Sequence, residues 1–204
     1  MKSLPVELEN ISFVTREKVV GQSVKNRCGR DFIYYGLNYY LPQKFNNKTI
    51  NPQEIEKERL FGLRLPSWLM WTQLQFLWLP SYLKENGLIL FINNKKVYSY
   101  FSFVSSVLFS RINLNKAMEK VRSGIDEGSV VGIDIGLKYG GLLDHIVFVY
   151  GYDDEAFYVC DTHKVPMLEY EKITADDKYF MKLPEGVIKK RWTRFGRVWE
   201  LKRA

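Results

Sequence analysis

The chain has 204 residues, of which 46% are hydrophobic and 26% charged, as in an ordinary soluble globular protein. We expect a single domain over residues 1–204, because no repeat, low-complexity tract or linker divides the sequence. Two cysteines are too few for a disulfide framework, so a reduced, cytoplasmic setting is expected. The N-terminus does not resemble a signal peptide, and no segment reaches the roughly 18 apolar residues of a membrane span.

Helices are predicted in the first half of the chain. Apolar residues recur at helical spacing over 29–40, and Pro42 supplies a stop. After a polar segment, residues 52–63 and 66–78 are predicted helices, the second of them buried. Residues 81–85 are expected to form a further helical turn.

Strands dominate the second half after the break at Asn86-Gly87. The apolar run 88–92, a turn at Asn93-Asn94 and residues 97–103 predict paired strands, and Asn113 is a predicted cap for a helix ending near Gly128. Further strands are predicted over 129–135, 145–150, 156–160 and 198–201, with a hairpin turn at 152–155. Helices followed by strands indicate an α+β fold, with a helical N-terminal half packed on a C-terminal antiparallel sheet.

The formal charge of +7 lies largely in the C-terminal stretch 189–203. Such an excess could suit nucleic acid, an anionic membrane surface or an acidic substrate. Alternating residues in this stretch also predict a terminal strand with one solvated face. We expect a charged edge strand rather than a nucleic-acid site, because no recognition motif accompanies the charge.

Cys28 is a candidate nucleophile at the start of the helix predicted for 29–40. A helix N-terminus offers unpaired N–H groups and a positive dipole end, which favour the reactive thiolate. Arg27 and Arg30 add positive charge nearby. The alternative is a small buried cysteine that fills the core.

His145 is the candidate base, because it opens an apolar strand where sites commonly lie. The chain has one other histidine, His163, in a polar loop where solvent exposure is the simpler expectation. Cys160 and His163 have metal-ligand spacing, but no second pair accompanies them, so neither a metal nor another cofactor is expected.

Asp161 is the candidate group that orients the imidazole. It ends the strand 156–160, which the turn at 152–155 pairs antiparallel with the strand opened by His145. In such a hairpin the start of the first strand lies beside the end of the second, so His145 and Asp161 should meet. Gln22, six residues before Cys28, could donate a hydrogen bond to an oxyanion.

Several motifs resemble the papain-like peptidases that remove double-glycine leaders from bacteriocins. GQSVKNRCGRDFIYYGLNYY is similar to the start of that bacterial family, and DHIVFVYGYDDEAFYVCDT to its histidine-bearing hairpin. The helix and strand that precede the histidine in that family are similar to KAMEKVRSGIDEGSVVGIDI. Its Trp-bearing terminal strand is similar to RWTRFGRVWEL. This resemblance implies a papain-like fold with Cys28 as nucleophile, His145 as base, Asp161 as orienting acid and Gln22 as oxyanion donor.

The main expectation is therefore a cysteine peptidase or amidase acting on a peptide. A related group that transfers acyl chains in butirosin-type antibiotic assembly has a stretch similar to EIEKERLFGLRLPSW. That likeness implies the alternative of acyl transfer from a thioester to an amine. A catalytically silent peptide-binding module is a third possibility, opposed by the joint presence of Gln22, Cys28, His145 and Asp161. The oligomeric state is left open.

Overall fold

The structure, a computed structural model, describes residues 1–4, 28–45, 76–138, 143–161, 168–173, 180–192 and 195–204. Together these ranges form an α+β fold built on a large antiparallel sheet. The helices are α1 (Cys28–Tyr40), α2 (Pro42–Phe45), α3 (Leu79–Glu85), α4 (Tyr100–Phe109), α5 (Leu114–Asp126) and α6 (Glu185–Arg191). The strands are β1 (Lys2–Ser3), β2 (Leu88–Ile92), β3 (Lys95–Val97), β4 (Val130–Lys138), β5 (Leu143–Tyr152), β6 (Ala156–Cys160), β7 (Glu171–Lys172), β8 (Phe180–Pro184) and β9 (Arg197–Arg203).

The sheet has the strand order β3-β2-β9-β4-β5-β6-β8-β7, and β1 pairs with β5 beside this path. The described pairs are antiparallel. Strands β4, β5 and β9 lie in the middle of the sheet and are largely buried. The largely apolar sequences of β4 and β5 follow from this, because both faces of these strands are covered by protein.

Helix α1 packs closely against the centre of the sheet. The Phe32 ring lies directly over Gly132 of β4, where a methyl group on the glycine would clash with the ring. One turn later, Gly36 allows an equally close approach to Leu201 of β9. These contacts fix the axis of α1 on the sheet and so determine where its first residue, Cys28, lies.

The predicted elements agree well with the structure in the described ranges. The helix predicted for 29–40 begins one residue earlier, at Cys28, and the turn predicted for 81–85 is part of α3. Asn113 caps α5 as expected, since its Oδ1 accepts from the Lys116 N–H at 2.9 Å. Gly128 follows with φ of 75°, a conformation that favours glycine and ends the helix. The helix predicted for 52–63 and most of that for 66–78 lie outside the described residues.

The strand predicted for 97–103 is wrong, because β3 ends at Val97 and α4 begins at Tyr100. The reason is a capping box at the start of α4. Ser99 accepts from the Ser102 N–H at 3.2 Å, and the Ser102 hydroxyl accepts from the Ser99 N–H at 2.8 Å. These reciprocal bonds satisfy N–H groups at the helix N-terminus that have no acceptor within the helix. They outweigh the β-propensity of the aromatic residues.

The expected charged edge strand at the C-terminus is also wrong. Strand β9 pairs with β2 on one side and β4 on the other, so neither of its edges is open. Its two buried charged residues are paired inside the fold: the Glu200 carboxylate lies 2.7 Å from the Lys120 ammonium, and Arg197 Nη1 lies 2.6 Å from Asp134. Local alternation of polar and apolar residues could not reveal that partners from α5 and β4 would cover this strand. Among the described residues, no helix is long and apolar enough to cross a membrane.

Candidate active site

Cys28 is the first residue of α1 and is partly exposed. Its position follows from the packing of Phe32 and the following apolar residues on the sheet, which leaves the N-terminal end of the helix beside β5 and β6. The first N–H groups of a helix have no acceptor within the helix and carry a partial positive charge. A thiolate, or an oxygen that becomes negative beside it, would be stabilised at this end.

His145 and Asp161 are brought together by the predicted hairpin, and this geometric prediction is confirmed. Strand β5 pairs antiparallel with β6 in a register that joins Phe148 to Cys160. Asp161 therefore follows the last paired residue of β6, next to the start of β5. The turn is closed by Asp153, whose Oδ1 accepts from the backbone N–H groups of Glu155 and Ala156 at 3.0 and 2.9 Å.

The imidazole of His145 lies between the carboxylate of Asp161 and the thiol of Cys28. Its Nε2 is 2.9 Å from Asp161 Oδ2, and both side chains are buried. Cys28 interacts with the same imidazole through its side chain. Since Nε2 faces Asp161, Nδ1 is the ring nitrogen that can serve the thiol. The three residues therefore form a chain from thiol to imidazole to carboxylate.

The charged form of His145 is strongly favoured in this setting. Burial alone lowers the pKa of His145, but hydrogen bonds to Asp161 and Cys28 outweigh it and raise the pKa to about 10. An imidazolium is therefore the form expected at neutral pH. A positive charge held beside a thiol stabilises its thiolate, which is the nucleophilic form of cysteine.

Tyr170 is a member of this cluster that the sequence did not indicate. Its hydroxyl donates to Asp161 Oδ2 at 2.5 Å, the same oxygen that faces His145. Tyr170 lies nine residues after Asp161, beyond any spacing rule for a hairpin, and no motif marks it. The contact between Tyr170 and the buried Asp161 carboxylate is therefore visible only in the tertiary structure.

The second cysteine, Cys160, immediately precedes Asp161 but occupies a different environment from Cys28. It is buried, and its thiol donates to the Tyr35 hydroxyl at 3.5 Å. Burial raises the pKa of the Cys160 thiol well above its usual range. Both cysteines border one narrow recess, which is lined by Cys28, Asp31, Tyr35, Ile146, Phe148, Cys160 and Asp161.

A buried ionic cluster stands beside the site at the start of β5. Arg197 Nη1 lies 2.6 Å from Asp134 and 2.9 Å from Asp144, and Arg197 Nε donates to the Val107 carbonyl at 2.7 Å. Burial raises the pKa of Asp144 to about 7; Asp134 adds to the shift and Arg197 opposes it. The cluster joins β9, β4, β5 and α4 immediately before His145. Asp134 within the apolar strand GIDIG was the signal that could have revealed it, because a charge there requires a partner.

Two of the candidate residues lie outside the described residues, namely Gln22 and His163. The role of Gln22 as an oxyanion donor therefore stays a prediction. Within the described ranges, no group of three or more His, Cys, Asp or Glu side chains could hold a metal ion.

Comparison with known proteins adds no family or relative to this geometry. The chain matches no family model, no curated protein and no solved structure.

Proposed function

We propose that this protein is a thiol-dependent hydrolase of papain-like fold that cleaves a peptide or amide bond. The observation that carries the proposal is the chain of contacts from Cys28 through His145 to Asp161, with Nε2 and Oδ2 2.9 Å apart. A nucleophile, a base and an orienting carboxylate in this order are the elements of covalent acyl chemistry. Their origin in two separate parts of the chain, α1 and the β5–β6 hairpin, supports a catalytic role over a local structural one.

The proposed reaction has two half-reactions. Cys28 Sγ attacks the substrate carbonyl carbon and forms a C–S bond, while the carbonyl π electrons move to the oxygen. The Cys28 N–H and Gln22 are proposed to stabilise that oxyanion. When the C–N bond breaks, imidazolium His145 gives its proton to the leaving amine. Neutral His145 then takes a proton from water, whose oxygen displaces Cys28 and releases the acid.

Asp161 is proposed to keep His145 in the productive orientation. With Nε2 held by the carboxylate, Nδ1 points to the thiol, and the negative charge stabilises the imidazolium that is present before the C–N bond breaks and forms again when water attacks. Transfer of the acyl group to an amine would use the same three residues with a different acceptor. The acceptor is therefore a matter for substrate experiments, and hydrolysis is the simpler proposal.

The alkylation rate of each cysteine against pH tests the nucleophile without a substrate. Iodoacetamide labelling from pH 5 to 9, followed by peptide mass spectrometry, reads Cys28 and Cys160 in one digest. We expect Cys28 to be alkylated much faster than Cys160 and to lose that reactivity in H145Q, because the thiolate is the reacting form and a charged imidazole beside it favours that form. Cys160 serves as the internal control and should remain unreactive while the protein is folded.

An inert Cys28, or one whose alkylation follows an ordinary thiol in both proteins, would remove the support for catalysis. A positive result justifies the next screen, in which peptides and acyl thioesters are offered with water or an added amine as acceptor. Release of a free acid identifies a hydrolase, and formation of a new amide identifies an acyltransferase.

A further inference from the structure

The Asp161 carboxylate receives two different groups on one oxygen. Oδ2 lies 2.9 Å from His145 Nε2 and accepts from the Tyr170 hydroxyl at 2.5 Å. Tyr170 is partly buried and packs against the hydrophobic core, so its ring is supported independently of the hydroxyl. The hydroxyl is thus brought to the carboxylate by a ring that the fold already holds.

We propose that Tyr170 is a positioning residue, which holds Asp161 in the orientation that keeps His145 aligned with Cys28. The inference rests on the proposed function for its catalytic meaning. Control of the His145 pKa by the Tyr170 hydroxyl, acting through Asp161, can be tested without a turnover assay.

The need for a second contact follows from the geometry of aspartate. The torsion that turns its carboxylate is broad, with no sharply preferred staggered position. A single partner therefore leaves the plane of the carboxylate free to rotate. The Tyr170 hydroxyl, as a contact to Oδ2 in addition to His145, restricts that rotation and helps to fix the line along which His145 Nε2 is held.

Tyrosine suits this role because it donates without adding charge. Burial, reinforced by the nearby charge of Asp161, raises the pKa of Tyr170 well above its usual range. The hydroxyl therefore stays protonated where His145 titrates. A lysine or arginine here would neutralise the carboxylate and weaken its support of the imidazolium.

A matched control exists in the same sheet. Tyr158 donates to Asp153 Oδ2 at 2.8 Å in the β5–β6 turn, at the end of the hairpin opposite the His145–Asp161 pair. Both contacts join a tyrosine hydroxyl to an aspartate. Y158F therefore removes the same chemical group without touching the site.

The test compares the His145 titration in wild type, Y170F and Y158F by NMR of the imidazole, identified by its absence in H145Q. In Y170F we expect the pKa of His145 to fall by about one unit or more, because the carboxylate no longer holds the imidazolium as closely. Y158F should leave the pKa of His145 unchanged. In turnover assays, Y170F should lower kcat about tenfold with KM little altered.

Three results would overturn the inference. An unchanged pKa of His145 in folded Y170F means that the hydroxyl does not position Asp161. A raised pKa of His145 in Y170F means that the Tyr170 hydroxyl acts instead by withdrawing negative charge from the Asp161 carboxylate. A Y170F protein that fails to fold means that the hydroxyl is needed for folding, because phenylalanine keeps the ring that packs against the core. Absence of turnover in wild type would instead count against the proposed function, since the NMR comparison does not depend on it.

Discussion

The two cysteines border the same recess, yet their surroundings give them opposite properties. Cys28 stands at the exposed start of a helix and interacts with His145, which is held as an imidazolium. Cys160 ends a strand inside the core, where it meets a neutral tyrosine hydroxyl and burial raises the pKa of its thiol. The contrast teaches that nucleophilic character comes from charge and exposure around the sulfur rather than from the residue type.

The same contrast separates catalysis from stability. Substitutions around Cys28 should change reactivity more than folding, and substitutions around Cys160 should do the reverse. Substitutions at each cysteine and at its neighbours test this division.

Replacing the sulfur by oxygen should lower turnover far more at Cys28 than at Cys160. In C28S we expect turnover to fall at least about a thousandfold, because the hydroxyl is a far poorer nucleophile beside the same base. C160S, the control, should retain most of the wild-type turnover. Steady-state rates, with circular dichroism to show folding, measure both. Equal losses in the two folded variants would contradict the assignment of Cys28.

Asp161→Asn should lower turnover less, by roughly ten- to a hundredfold, because the amide can still hold the ring without stabilising its charge. The same substitution should lower the pKa of His145, which hydrogen bonding to Asp161 raises. Asp153→Asn is the control, since that carboxylate contacts the turn, Tyr158 and Lys182 at the other end of the hairpin. A D161N enzyme with full turnover would show that His145 does not need the carboxylate.

The stability provided by His145 should depend on pH in a defined direction. Its pKa is raised from 6.5 to about 10 on folding, so the folded state holds the proton more tightly than the unfolded state. The stabilisation is therefore complete below about pH 6.5 and is lost as the pH rises toward 10. The difference in unfolding free energy between wild type and H145Q should shrink over this window, at most by about 1.4 kcal/mol per pH unit.

Urea unfolding at pH 6.5, 8 and 9.5 measures this difference, with both proteins compared at each pH so that other titrations cancel. A difference that is constant or that grows with pH would mean that His145 is not held as an imidazolium.

The smallest effect is expected from Tyr35→Phe, which removes the hydroxyl that accepts from Cys160. Loss of one buried hydrogen bond should lower the free energy of unfolding by about 1 kcal/mol, with little change in turnover. Urea unfolding and steady-state rates of one preparation test both parts. A large loss of turnover would indicate that the Cys160 side of the recess contributes to catalysis.

The local part of the site was predictable from the sequence. Residues 145–161 contain two strands and an Asp-rich turn, and a hairpin of that length necessarily brings its two ends together. This is why the meeting of His145 and Asp161 could be predicted. The course of α1 was likewise visible, because helical periodicity predicted a start within one residue of Cys28 and Pro42 predicted the end.

The long-range part was not predictable. The Tyr170 contact with Asp161 joins a segment that carries no motif, and the Arg197 cluster joins β9 to residues 53 to 90 positions earlier in the chain. The prediction of an edge strand failed for the same reason: the neighbours of β9 are supplied by residues 88–92 and 130–134. The capping box at Ser99, by contrast, is a local signal in the sequence, and in the fold it outweighs the β-propensity of the aromatic residues that follow.

The α+β class, most described elements and the hairpin that joins His145 to Asp161 follow from the sequence, because periodicity, caps and turns act over a few residues. The contact between thiol and imidazole, the donor to the carboxylate and the pairing of buried charges arise from the packing of the whole fold. Those outcomes depend on contacts between segments distant in the chain, whose burial sets the local charge balance and therefore the protonation states on which the proposed chemistry rests.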